Sequence, residues 1–213
     1  MSREEQVSAT RDALLTAAER LFAERGVHAV ANSQISEAAG QRNNAAVAYH
    51  FGTKGDVIRA IARIHAEQME RNRSRMIAAL DDSAGLRDWV ACMVLPVTDH
   101  LESLSSPTWY ARFMAQVTAD PALHAILFEE SLVRSPSLDE LAEGLNRCTP
   151  GMPTRVQLER ALMARHLIVQ MSVELERALA DGTPAYRTDW SDAAAGLIDA
   201  IVALWQAPFA REA

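Results

Sequence analysis

An all-α protein is predicted, on three observations. Apolar residues recur at helical spacing along nearly the whole chain. The boundaries between those stretches carry breakers or caps: Gly26, Gly40, Phe51-Gly52, the run Asp81-Asp82-Ser83-Ala84-Gly85, Ser106-Pro107, Asp120-Pro121, Ser135-Pro136, Pro150-Gly151 and Asp181-Gly182. No stretch shows the period-two alternation of a half-buried strand. The expected architecture is an N-terminal three-helix domain containing a helix-turn-helix. A long helix joins it to a larger all-helical domain.

The elements follow in order. The first helix is expected over 10–25, with Leu14, Ala18, Leu21 and Phe22 on its core face. Gly26 stands where a helix end favours a left-handed residue. The second is expected over 33–39, capped by Asn32 or Ser33 and ended by Gly40. The third is short, 44–50, and Phe51-Gly52 stops it. Thr53 with Asp56 three residues on is a capping-box pattern, so a long helix should begin there. Val57, Ile58, Ile61, Ile64, Met69, Met76 and Leu80 mark its buried side. Further helices are expected over 86–104, with Pro96 as a kink, and over 107–119, 121–133, 136–147, 153–181 and 189–206.

The chain has 213 residues and a net charge of −7. That charge is unevenly placed. Residues 1–75 hold 11 Lys/Arg against 9 Asp/Glu, and residues 76–213 hold 10 against 19. The N-terminal part is thus mildly basic and can place cations at phosphates, because contact geometry outweighs total charge. No apolar run is long enough to span a bilayer, so no membrane association is expected. The charged start MSREEQVSATRD has no apolar signal core. Cys92 and Cys148 are the two cysteines; they could pair, but a cytoplasmic chain would keep both as thiols.

The pieces LFAERG (Leu21–Gly26), ISEAAG (Ile35–Gly40) and YHFGTK (Tyr49–Lys54), followed by an apolar helix, occur in order and at fixed spacing. In this the N-terminal 65 or so residues resemble the DNA-binding domain of the TetR family of bacterial transcriptional regulators. The rest agrees with the family in length and helical layout. Three departures are visible: the turn after Gly40, Gln41-Arg42-Asn43-Asn44, is one residue longer than the family's usual spacing, Ala48 stands where the family usually has a tyrosine, and Ala31-Asn32 stands where it favours a Thr pair. The resemblance implies a DNA-binding domain over 1–56 and an effector-binding and dimerisation domain over 57–213. It also implies a cytoplasmic homodimer that binds double-stranded operator DNA. A small, largely apolar effector would most often release such a repressor.

A helix-turn-helix lays its second helix in the major groove. Asn and Gln can pair with adenine and Arg with guanine, so Gln41, Arg42, Asn43 and Asn44 are the candidate base readers. One of the two asparagines is expected to cap the third helix and the other to read. Tyr49 and His50 offer donors to phosphate, as do Ser33 and Gln34 at the start of the second helix. The resemblance favours Lys54 for phosphate as well. Met93, Val97, Trp109, Tyr110, Phe113, Met114 and Val117 could line an apolar pocket, although each is also an ordinary core residue. Leu162, Met171, Leu197, Ile198, Ile201 and Trp205 are candidates for a twofold four-helix interface, and internal packing is their alternative.

No catalytic residue, cofactor or metal site is expected. The six histidines are scattered without metal-ligand spacing, and no Gly-rich phosphate loop or GxSxG elbow occurs. An all-helical enzyme has no positive signal. A ligand-independent architectural DNA binder is the other alternative, and a filled core over 86–180 would favour it.

Overall fold

A computed structural model describes residues 2–104 and 106–209, without the side chains of 128–134. Among the described residues ten helices follow one another and no strand occurs. They are α1 (Arg3–Arg25), α2 (Asn32–Ala38), α3 (Ala46–His50), α4 (Lys54–Ala78), α5 (Leu86–Ser103), α6 (Tyr110–Ala119), α7 (Pro121–Arg134), α8 (Ser137–Cys148), α9 (Thr154–Asp181) and α10 (Trp190–Gln206). The helices fall within a few residues of the predicted spans, with two instructive differences at their starts.

The first helix starts a full seven residues before the expected Thr10. Ser2 and Glu5 close a capping box: the Glu5 N–H donates to Ser2 Oγ at 3.1 Å, and the Ser2 N–H donates to Glu5 Oε2 at 2.7 Å. Glu4 and Glu5 also lie in the first turn, where the helix dipole favours negative charge. This segment is exposed, so it has no apolar periodicity to read. The second difference is the cap of α2. Neither Asn32 nor Ser33 caps it; Ala31 occupies that place and has no acceptor side chain. Gln34 supplies half of a capping box by accepting from the Ala31 N–H at 2.8 Å. The expected box at the start of α4 is present, with Asp56 Oδ2 accepting from the Thr53 N–H at 3.0 Å and hydroxyl at 2.6 Å.

The chain forms two compact units: Met1–Ala66 with Pro107–Val133, and Glu67–Ser106 with Arg134–Ala213. In the first, α1 packs against α2 and α6. Leu14, Phe22, Val30, Ile35, Val47, Val57, Ile58, Ile61 and Phe113 are all essentially inaccessible to solvent. Each such side chain contributes about 1.5–3 kcal/mol by leaving water. Phe22 stacks on Phe113 at 6.3 Å between ring centroids. His65 bridges two helices of this unit: its Nε2 lies 3.0 Å from Glu19 Oε2, and its ring stacks on Tyr110 at 3.8 Å. Burial, and then the Glu19 charge, push the Tyr110 hydroxyl well above its ordinary pKa.

In the second unit α10 is the central element, packed on α5 and α9. Trp89, Val90, Val94, Leu141, Leu145, Ile168, Leu197, Ile201 and Trp205 form its core. Helix α8 approaches α5 so closely that a Cβ at Gly144 would overlap the Trp89 ring. The half-buried Glu70 holds the start of α8, accepting from the Ser137 N–H at 3.0 Å and its hydroxyl at 2.6 Å. Arg73 pairs with the same carboxylate at 3.2 Å, and desolvation lowers its pKa. Arg160, also buried, donates to the Trp205 and Ala207 carbonyls and so closes the C-terminus of α10. Cys92 and Cys148 are free thiols, and burial pushes both up from the usual thiol pKa. No helix among the described residues is long and apolar enough to cross a membrane.

Candidate nucleic-acid interface

The unit α2–turn–α3 is built from its buried side outward. Ile35 and Ser36 are the buried residues of α2, and Ala46 and Val47 those of α3. Helix α2 ends in a Schellman arrangement. The Gln41 N–H donates to the Ser36 carbonyl and the Gly40 N–H to the Glu37 carbonyl, each at 2.9 Å. Gly40 has φ of 70°, which a residue with a Cβ adopts only at a cost. The Ser36 hydroxyl, fully buried, lies 3.2 Å from the Asn32 carbonyl and 3.3 Å from the Asn44 carbonyl. It therefore holds the far end of the turn against α2.

Helix α3 is five residues long and cannot be stable by itself. Its C-terminus is fastened to α1. Arg11 donates from Nη1 to the His50 carbonyl, and its guanidinium lies over the Phe51 ring at 4.4 Å from the centroid. Ser36 and Arg11 are functional supports that carry no signal in the sequence. Nothing in their spacing singles them out, because both act on carbonyls that are distant or hidden in the chain.

The outer side is polar and exposed. Ser33, Gln34, Arg42, Asn43, Asn44 and Tyr49 are exposed, Tyr49 at 79%. Neither asparagine caps α3, whose cap place is taken by Ala45; Asn43 instead closes an Asx turn just before it, its Oδ1 accepting from the Ala45 N–H at 2.9 Å. Gln41 is half-buried, with its amide donating to the Ala39 carbonyl at 3.3 Å. His50 is half-buried and meets Tyr49 edge to face at 4.9 Å. Lys54, also half-buried, donates from Nζ to the Val27 carbonyl at 3.0 Å. That bond uses one of three ammonium protons and links the start of α4 to the α1–α2 connection.

The candidate pocket residues do not come together in one unit. Met93 and Val97 are half-buried at the margin of the second unit's core. Trp109, Tyr110, Phe113, Met114 and Val117 belong to the first unit, where Tyr110, Phe113 and Val117 are buried. A cavity of about 310 Å³ within the second unit is lined instead by α9, α10 and their connection, including Leu167, Met171, Tyr186 and Leu197. Of the candidate interface residues, Leu162 and Met171 are exposed on α9. Leu197, Ile198, Ile201 and Trp205 of α10 are buried within the unit's own core.

A short buttressed helix, a glycine turn and an exposed polar margin define a DNA-binding module of the helix-turn-helix class. Residues 14–61 match the family model described as bacterial regulatory proteins, tetR family. Several solved structures share the fold over about nine-tenths of the chain or more. A TetR-family transcription regulator from Marinobacter aquaeolei VT8 is 15% identical, covers 95% of this chain and 97% of its own, and superposes with a TM-score of 0.62. A transcriptional regulator from Rhodococcus sp. Rha1 is 18% identical over 91% and 96%, at 0.53. The TetR-family regulator PfmR from Thermus thermophilus is 15% identical over 89% and 97%, at 0.50. No curated protein matches the chain in sequence. Residues 14–61 thus carry the match to the DNA-binding domain of the TetR family, and over the rest of the chain the likeness is one of fold.

Proposed function

We propose that this regulator is a repressor that binds a palindromic operator as a cytoplasmic homodimer and leaves it when a small, largely apolar molecule binds. The observation that carries the reading is the exposed row Arg42–Asn44 with Tyr49, set on a scaffold fixed by Ser36 and Arg11. Residues 1–56 serve as the reader. Residues 57–213 serve as the effector-binding and dimerisation part. Ser33, Gln34, Tyr49, His50 and Lys54 contact phosphates, while Gln41, Arg42 and Asn44 reach base edges. Asn43 sets the geometry of the turn through its bond to the Ala45 N–H.

Dimerisation is assigned to α9. Its exposed Leu158, Leu162, Met163, Leu167 and Met171 form an apolar surface that a second copy would cover. A twofold axis then presents two readers about 34–36 Å apart, one helical turn of DNA. The effector is assigned to residues 86–180, where Met93 and Val97 offer half-buried apolar surface.

Selection of duplexes from a random pool tests the reading. A palindrome should emerge, and the protein should sediment at twice its chain mass. An effector must prefer the DNA-incompetent state, and operator must then weaken effector binding by the same factor. An effector whose affinity ignores operator would remove the switch from this proposal. Selection of no sequence at all would remove the reader.

A further inference from the structure

The outward side of α3 is chemically unusual for a reading surface. Ala45, Ala48 and Tyr49 are exposed and stand at i, i+3 and i+4, so they share one face. Ala46 and Val47 point inward and are buried. Among the candidate DNA-contacting residues, every amide and guanidinium group other than that of Gln34 lies before the helix, in the turn Gln41–Asn44. The helix that a major groove would admit therefore offers two methyl groups and a phenol, and neither methyl can form a hydrogen bond.

We infer that Ala45 and Ala48 are specificity-determining residues that select the C5-methyl group of thymine in each half-site. This rests on the DNA-reading function proposed above. Among the features a base pair shows in the major groove, the thymine methyl is the apolar one. Adenine, guanine and cytosine edges set against an alanine methyl would lose water and gain no partner, which costs free energy. An alanine face thus rejects them as well as favouring thymine. The short side chains also let the α3 backbone approach the base edges closely. The turn residues then lie at the next base pairs, where Arg42 and Asn44 read by hydrogen bonds.

The test uses the full-length protein and a duplex chosen by selection from a random pool. Each thymine is replaced in turn by deoxyuridine, which removes only the methyl. One or two positions per half-site should lose about fourfold in affinity, the value of one buried methyl. Deoxycytidine there should bind more weakly than 5-methyldeoxycytidine, again by about fourfold. Ala45→Gly and Ala48→Ser should bring the thymine-to-uridine affinity ratio at one such position to about one. Because that ratio is internal to each variant, a general loss of affinity does not disturb it. The N-terminal cap place of Ala45 also tolerates glycine. Equal binding of all uridine-substituted duplexes, or an unchanged ratio in both variants, would overturn the inference while leaving a selective reader intact. A failure to select any sequence would overturn the DNA-reading function itself, and this inference with it.

Discussion

The exposed side of α2–turn–α3 and the exposed side of α9 are opposites. The first shows Ser33, Gln34, Arg42, Asn43, Asn44 and Tyr49: short or polar groups that water already satisfies. The second shows Leu158, Leu162, Met163, Leu167 and Met171, large apolar groups on one long helix. The supports beneath them differ as well. The polar face stands on individual hydrogen bonds, from Ser36 to the Asn44 carbonyl and from Arg11 to the His50 carbonyl. The apolar face stands on a continuous core of Ile168, Leu197, Ile201 and Trp205. A polar face can wait in water for a charged partner. An apolar face exposes what association would bury, which supports the second copy proposed for it.

The sharpest break of the comparison separates the apolar face from its support. Ile201→Glu places a carboxylate where no solvent reaches and should cost about 5 kcal/mol, comparable to the stability of a domain. Thermal denaturation should show a largely unfolded second unit. Leu162→Glu, on the face itself, should leave the melting of the protomer within about 0.5 kcal/mol of wild type. Sedimentation should then report a single chain mass. A folded dimer of Leu162→Glu would remove α9 from the interface.

On the polar side the same separation is smaller. Arg11→Ala removes a charge-assisted bond and a cation–π contact beneath α3, for about 1–2 kcal/mol. Hydrogen exchange of the α3 amides should accelerate while those of α10 stay unchanged. Lys54→Ala should weaken binding to every duplex alike and reduce the salt slope by about one per phosphate lost. An unchanged slope would mean that the ammonium serves only the Val27 carbonyl.

The smallest effect is at the cap of α4. Hydrogen bonds from Thr53, and then the nearby Arg59, hold the Asp56 carboxyl below its usual 3.8. A carboxyl whose folded pKa is depressed adds stability above the unfolded value. That stability is lost as pH falls through the folded value. NMR titration of Asp56 should place its midpoint below 3.8, and Asp56→Asn should flatten the acid limb of the melting curve.

Much of the fold was legible because it is local. Helical periodicity, Gly26, Gly40 and the Thr53–Asp56 box act within a few residues, so α2, α4, α9 and α10 lie close to their predicted spans. The reader was legible for the same reason, as a motif of short pieces in order. That Ala45 rather than an asparagine stands at the cap of α3, with Asn43 bonding the Ala45 N–H from the turn, needed the turn's geometry in place. The α1 extension escaped notice because a solvated capping box leaves no apolar trace.

Sequence alone determined the all-helical class, the helix-turn-helix and the chemistry available at its margin, since propensity, caps and turn residues are properties of neighbours along the chain. Tertiary structure alone decided which apolar helix is spent inside the protomer. The stripes of α9 and α10 read alike in one dimension, yet Ile201 is fully buried and Leu162 is 47% exposed. It also decided that Ser36 and Arg11 would hold the reading surface, through carbonyls 8 and 39 residues away. Burial and long-range hydrogen bonding depend on which helices meet, and a linear pattern does not contain that information.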